Sequence, residues 1–389
     1  MRPTFIFLHD CFAHRGKTEK SLLHAARLAG EFADVHLAVL WNHGTLDLDE
    51  EAIFKSIRQF EFPWSMKPGK QARHHEQMQE LARAMDALKP DATIAFSLRS
   101  AIRAAEIVEE TGRPHAWNCL QDFPLFSPPF SGRKTHTSLN SLGNANTRIV
   151  CETETKIDEF SQFDFPLHQL HLLRDGIDVA RYSEARVSAS GNGSRKRSLG
   201  LDETAFVLLC SADADPAENH SQVIEAVGEL CRFGRDIQVV FVGDEAESQR
   251  PYRSALRQLA EDQGVANNVV FPGPTTDLRP WLQAADAFVA PCRLGNKLPI
   301  LVQAGAAGLP LLAKRIGAHH EIVRHEETGF LFNGDDHAQL TRLIDDLMGD
   351  PILRERLGRA ASALVEEEFN SVRQDEKWTR FLQELASLS

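Results

Sequence analysis

Arg293 and Lys297 bracket the loop Cys292–Pro299, just ahead of a segment, Ile300–Ala307, whose apolar residues recur at helical spacing. A helix start already carries roughly half a positive charge, so two cations placed there describe a site for an anion. Two solvated loop cations would leave the same trace in the sequence. His319-His320 is a second candidate. Adjacent side chains point in different directions in most backbones, so the pair does not make a two-ligand metal site; one of the two contacting a bound ligand fits better. His9-Asp10 follows the first apolar run. A histidine at a strand end can serve as a base or a phosphate partner, or be a hydrogen-bonded loop residue. His74-His75, near Lys67–Arg73, reads as part of a solvated helix face. No Asp-x-Asp or clustered His/Cys/carboxylate set has convincing ligand spacing, so no metal and no cofactor are expected. The run Phe123-Pro124-Leu125-Phe126-Ser127-Pro128-Pro129-Phe130 is either a packed loop or an apolar patch shaping an acceptor pocket or meeting a partner or lipid surface.

These groups need elements to hold them, and the chain of 389 residues is too long for one ordinary core. In the first half, short β-rich runs occur at Thr4–Leu8, Val35–Leu40, Ala92–Phe96, His115–Cys119 and Arg148–Cys151, with amphipathic segments such as Glu19–Ala29 and Gln77–Leu88 between them. The polar stretch Arg186–Arg197, rich in Ser and Gly, has nothing to bury and reads as a linker or exposed loop. The alternation then restarts with Ala205–Cys210, Gln238–Val242, Asn268–Phe271, Ala287–Ala290, Pro310–Ala313 and Gly329–Phe332, and residues 350–388 are continuously helix-like. Alternating strands and helices predict parallel sheets covered on both faces. The expected division is an N-terminal domain over 1–182, a linker over 183–198, a C-terminal domain over 199–370, and a final helix over 371–389 returning toward the first domain.

A hydrophobic fraction of 42% and a charged fraction of 25% are those of a globular protein. A formal net charge of −12 argues against a nucleic-acid binder. Six scattered cysteines read as small core residues. The apolar run at the start is shorter than a signal peptide's, and no stretch approaches the ~20 apolar residues of a membrane helix. A cytoplasmic protein is expected, with membrane contact peripheral at most.

From about Arg148 to Leu331 the order of landmarks resembles glycosyltransferase family 4, the retaining nucleotide-sugar enzymes of GT-B fold. The landmarks are Leu172-Leu173-Arg174-Asp175-Gly176-Ile177-Asp178, Val239-Val240-Phe241-Val242-Gly243-Asp244, Val269-Val270-Phe271-Pro272-Gly273 and Leu282–Pro291. They continue with Ala304-Gly305-Ala306-Ala307-Gly308-Leu309-Pro310, Gly317–Val323 and Thr328–Leu331. The N-terminal half matches in outline only, with Arg15-Gly16-Lys17-Thr18-Glu19 where the family often has Gly-Gly-x-Glu. The resemblance implies two Rossmann-like doubly wound domains facing a central cleft. It also implies a nucleotide-sugar donor in contact with Gly16, Gln303 and Glu321, and a leaving group stabilised by backbone dipoles and cations, for which Arg293 and Lys297 are the candidates that the residues themselves offer.

The chain departs from that family at three places. Gly295 and Gln303 stand where the family has two glutamates. Ala212 and Glu218 stand where it has an Arg and a Lys, and Gln121 stands where it often has a His. A carboxylate at 218 repels a diphosphate, and Arg293 with Lys297 is the nearest source of compensating charge. Two functions follow from the resemblance. One is transfer of a sugar to an unidentified acceptor, a glycan or lipid-linked glycan among the options. The other is a catalytically degenerate protein that binds or scaffolds an active glycosyltransferase.

Overall fold

In the computed structural model the described residues are 2–10, 17–41, 46–63, 71–111, 115–119, 147–162, 165–183, 193–211, 215–243, 250–293 and 298–388. Of the positions singled out in the sequence, Gly16, Gln121, residues 123–130, Ala212, Gly295 and Lys297 lie outside them. The chain divides into two compact units, Met1–Asp175 with Gln374–Ser389, and Gly176–Arg373.

The first unit is built on a parallel sheet of β1 (Thr4–His9), β2 (Asp34–Val39), β3 (Ser56–Gln59), β4 (Ala92–Ala95), β5 (His115–Cys119), β6 (Thr147–Cys151) and β7 (Leu170–Leu172), in the order β3-β2-β1-β4-β5-β6-β7. A central parallel strand is covered on both faces and so must be apolar where it is covered, as residues 5–8 of β1 are. Ile6 and Leu8 pack with Leu81 and Met85 of helix Gln71–Leu88, while Phe5 and Phe7 pack on the other face with Leu22 and Ala26 of helix Lys17–Gly30. That second face is completed by Trp378, Phe381, Leu382 and Leu385 from the far end of the sequence.

The second unit repeats the winding with β8 (Phe206–Ser211), β9 (Ile237–Val242), β10 (Val269–Gly273), β11 (Ala287–Ala290), β12 (Leu311–Lys314) and β13 (Gly329–Phe332), all parallel in the order β10-β9-β8-β11-β12-β13. Here too alternate residues of the central strand serve opposite faces, Val207 and Leu209 on one and Leu208 and Cys210 on the other.

The structure corrects two expectations. Residues 193–198, read as the end of a linker, form a helix of the second unit, because Lys196 is buried and donates to the Asp286 carboxylate (2.7 Å) and to the Ala205 carbonyl (2.9 Å). The long terminal helix is two helices, Pro351–Glu368 and Ser371–Ser387. Between them Phe369 is buried in the core, and Phe369 and Ser371 exchange backbone hydrogen bonds with Ile177 (2.8 and 2.9 Å). Edge strands β3 and β7 escaped the sequence reading.

Candidate functional site

In an open parallel sheet ligands bind beyond the carboxyl ends of the strands, where the strand order reverses. In the second unit that point lies between β8 and β11. Beyond β8, Asp215 accepts from the Ala217 N–H (2.8 Å) and caps the turn Pro216–Glu218. Asn219 follows in the left-handed region (φ 56°), an uncommon conformation for a non-glycine residue but one that Asn tolerates. It turns the chain into helix His220–Arg232.

Beyond β11 comes Arg293, and it closes onto that turn. Its backbone N–H donates to the Ala217 carbonyl (2.7 Å) and its guanidinium to the Pro216 carbonyl (3.2 Å) and to Asp335 Oδ2 (3.1 Å). The guanidinium is therefore directed at the 216–218 turn, and the sequence reading of charge gathered at the following helix start needs that correction. The helix itself runs Leu298–Ala306 and carries Gln303 half-buried. Glu218, on the turn, is buried.

Lys314, which ends β12, meets the same carboxylate: its ammonium donates to Asp335 Oδ1. The Asn219 amide also reaches Oδ1 (3.3 Å) and donates to Gln222 Oε1 (2.8 Å). Asp335 stands in a turn after β13, next to Gly334 at φ 68°. The hydrogen bond from Lys314, backed by Arg293, holds its carboxyl below the ordinary range. One carboxylate thus sits between two cations at this edge.

The turn Gly317–Glu321 backs the site. His319 is fully buried; its Nδ1 lies 2.9 Å from the Lys314 carbonyl and its Nε2 3.8 Å from Cys292 Sγ. A carbonyl only accepts, so Nδ1 carries the proton and the Cys292 thiol faces the bare Nε2. His319 thereby ties the end of β12 to the loop after β11 as a structural post. His320 is exposed and bonds the Gly317 carbonyl through Nδ1 (2.9 Å), and Glu321 is buried. Alongside the 216–218 turn, the His220 ring packs on Phe241 (4.8 Å) and lies 6.0 Å from Tyr252. Burial raises the Tyr252 phenol.

In the first unit His9 closes β1 and its Nε2 lies 3.1 Å from Glu19 Oε1, the hydrogen-bonded alternative read from sequence. His75 is exposed, as a solvated face requires, but its neighbour His74 is half-buried against Phe62 (5.6 Å). Among the described residues no group of three His, Cys, Asp or Glu side chains is gathered as a metal site. Asp47-Leu48-Asp49 and Asp213-Ala214-Asp215 do have Asp-x-Asp form, yet Asp47 and Asp215 each cap a helix or turn start. No described helix is long and apolar enough to cross a membrane.

The sequence reading missed Lys314, Asp335 and Asn219. A lysine closing the otherwise apolar strand Leu311-Leu312-Ala313 was the available signal.

Residues 193–363 match the family model of glycosyl transferases group 1. The chain is 32% identical over 220 residues to a GDP-mannose-dependent monoacylated alpha-(1-6)-phosphatidylinositol monomannoside mannosyltransferase of Corynebacterium glutamicum, covering 54% of this chain and 55% of that protein. It is 28% identical over 229 residues to a D-inositol 3-phosphate glycosyltransferase of Streptomyces avermitilis, covering 57% and 48%. The chain thus spans about half the length of these curated relatives. Among solved structures, Anabaena HepE in complex with UDP superposes with a TM-score of 0.80 at 18% identity, over 98% of this chain and 100% of that one. A glycosyltransferase from Rickettsia africae gives 0.80 at 15% identity over 100% of both chains. The fold is GT-B, with two Rossmann-like units. The resemblance read from the sequence holds at the level of group 1 glycosyl transferases; the narrower family 4 assignment is finer than these matches.

Proposed function

We propose that this chain is a glycosyltransferase whose nucleotide-sugar donor sets its diphosphate at the carboxyl edge of the second sheet, between β8 and β11. One observation carries the reading: Arg293 is laid across the 216–218 turn at the point where the strand order reverses, inside the stretch that matches the group 1 family. A departing diphosphate gains charge as the glycosidic bond breaks, and a preoriented guanidinium beside it stabilises that charge. Arg293 thus substitutes for the positive charge that Ala212 and Glu218 do not supply, and Lys297 adds to it. Gln303 offers an amide acceptor to the ribose, Glu321 supports the donor pocket, and Gly16, which has no side chain, is a further donor-binding position. No metal is needed for this scheme.

The acceptor in this reading is a glycan or a lipid-linked glycan, reached through peripheral contact with a membrane. The relative named for a phosphatidylinositol mannoside supports a lipid-linked glycan, the one named for inositol phosphate extends the class to a phosphorylated polyol, and the neighbours solved with UDP and UDP-glucose support a nucleoside-diphosphate sugar. The protein would act in the cytoplasm.

The test is a panel of nucleotides and nucleotide sugars read by thermal shift, followed by transfer to polyol phosphates and lipid-linked acceptors. A ligand at one hundred times its dissociation constant stabilises by about 2.7 kcal/mol, which a melting curve resolves. Charged hydrogen bonds contribute about 1.5–3 kcal/mol each, so Arg293→Ala with Lys297→Ala should weaken donor binding on the order of a hundredfold or more. A parent chain that no nucleotide sugar stabilises defeats the proposal and points to the scaffold alternative.

A further inference from the structure

We propose that Asp335 is an internal stand-in for the donor diphosphate, an acidic side chain that holds Arg293 and Lys314 until a phosphate group displaces it. The inference rests on the donor reading above and adds to it Lys314, a further cation for the diphosphate, and Asp335, which competes with the diphosphate for both cations.

Each oxygen of Asp335 takes one cation, Oδ1 from Lys314 and Oδ2 from Arg293, and the two cations come from neighbouring strand ends. A phosphate presents the same arrangement, separate oxygens to separate donors, with more negative charge. Exposure decides which partner can leave. The Lys314 side chain is 9% exposed, whereas that of Asp335 is 53% exposed. An ammonium held that deeply is costly without a counter-ion, so Lys314 stays and requires an anion. Asp335 is on the solvent side and can swing out, provided that another anion arrives.

The neighbouring residue shows that the carboxylate is spare. Asp336, not Asp335, caps helix His337–Gly349 by accepting from the Ala338 N–H (3.0 Å). Besides its two cations, Asp335 has the 3.3 Å contact to the Asn219 amide, and that amide has a shorter bond to Gln222. Release therefore leaves neither the helix uncapped nor Asn219 without a partner. Binding becomes an exchange of one anion for another, which lowers affinity for weakly charged ligands and selects for a diphosphate. The carboxylates nearest on the turn, Asp215 and Glu218, are committed differently: Asp215 caps the turn and Glu218 is buried.

The prediction has a sign that a merely structural ion pair would not produce. Calorimetric titration of the full chain with inorganic pyrophosphate, UDP and GDP is compared across the parent, Asp335→Asn and Lys314→Met. Asp335→Asn should tighten pyrophosphate and the better-bound nucleoside diphosphate at least tenfold, which is about 1.4 kcal/mol. Lys314→Met should weaken both at least tenfold. If Asp335→Asn melts too low to titrate, Lys314→Met with Asp335→Asn removes both charges and should fold while binding no better than the parent. Guanosine and uridine, lacking phosphate, report the base site and should be indifferent to every variant. A folded Asp335→Asn chain with unchanged or weaker diphosphate affinity overturns the exchange. So does pyrophosphate binding by none of the chains. A parent that binds these diphosphates yet transfers no sugar defeats the glycosyltransferase reading and leaves this one standing. Sugar transfer accompanied by an indifferent Asp335→Asn does the reverse.

Discussion

The two units share one winding, β3-β2-β1-β4-β5-β6 in the first and β10-β9-β8-β11-β12-β13 in the second, yet they differ in how they are closed and in what their strand ends carry. The second is made from consecutive sequence, Gly176–Arg373, and its strand ends lead to Arg293 and Lys314 around one carboxylate. The first draws Gln374–Ser389 from the end of the chain, and at its own reversal point β1 ends in a His9–Glu19 contact. The family match, 193–363, falls entirely within the second unit. A shared backbone plan thus tolerates very different edges, and the detectable family signature lies with the unit whose edge joins Arg293 and Lys314 through Asp335.

The first way to break the comparison is to remove what only the first unit borrows. Ending the chain at Arg373 deletes Trp378, Phe381, Leu382 and Leu385 from the face that holds Phe5 and Phe7. It also deletes the Asp375 partner of His24 (2.8 Å) and the Trp378 indole bond to the Arg174 carbonyl (3.3 Å). Each large apolar side chain contributes about 1.5–3 kcal/mol, an upper range because unfolded chains already bury some surface. Four of them approach a whole domain's ~5–15 kcal/mol. The shortened chain should lose the first unit's unfolding transition while a protease-resistant fragment near 176–373 survives. Melting and digestion indistinguishable from the full chain would show that the units do not differ in this way.

The second unit has its own dependence, on the Lys196–Asp286 pair. The Asp286 carboxylate accepts from the Lys196 ammonium (2.7 Å) and from the Val207 N–H (2.8 Å), so it fastens helix Gly193–Ser198 to β8 and β11. Asp286→Ala strands a buried ammonium, and breaking a buried pair costs about 3–5 kcal/mol. Replacing both partners, Lys196→Met with Asp286→Ala, should recover part of that loss. Chemical denaturation of the isolated second-unit transition is the measurement. A single variant as stable as the parent would return residues 193–198 to the role of a linker.

That helix marks one boundary of what the sequence reveals. Strands such as Ala287–Ala290 and Gly329–Phe332 are legible to the residue, because buried parallel strands are unbroken apolar runs. Ser56–Gln59 and Leu170–Leu172 are the outer strands of the first sheet; the former is largely exposed, and neither spans more than four residues. Arg195-Lys196-Arg197 looks fully solvated until its middle lysine finds Asp286, 90 positions away. The same limit applies to the site. Arg293 stood out by its place before a helix, but its convergence with Lys314 on Asp335 joins residues 42 and 21 positions apart. Spacing along a chain records helices and strands; it does not record which loops a sheet's winding brings together.

The smallest effect, a matter of pH, sharpens the comparison further. In the first unit burial depresses the pKa of His36, His74 and His171 below the ordinary 6.5. For His171 the Arg148 charge adds to that burial and Glu384 opposes it. His171 also packs its ring on Phe381 (5.0 Å), and its Nε2 has no hydrogen-bond partner among the described residues. In the second unit hydrogen bonds hold the carboxyls of Asp202, Asp277 and Asp335 below the ordinary 3.8, as Lys55 does for Asp34 in the first. Above pH ~7.5 a histidine is neutral whether folded or unfolded, and these three cost nothing. As pH falls through 6.5 the unfolded chain takes up protons that the folded first unit refuses, so its stability declines until the folded values are passed. The carboxylates of the second unit lose their contribution only below about pH 4. Between pH ~7.5 and ~5.5 the first unit's melting temperature should therefore fall. His171→Phe keeps the packing on Phe381 and removes one titrating group, so it should reduce the slope for the first unit alone. A slope unaltered by that substitution would place the acid sensitivity somewhere other than beneath the terminal helix.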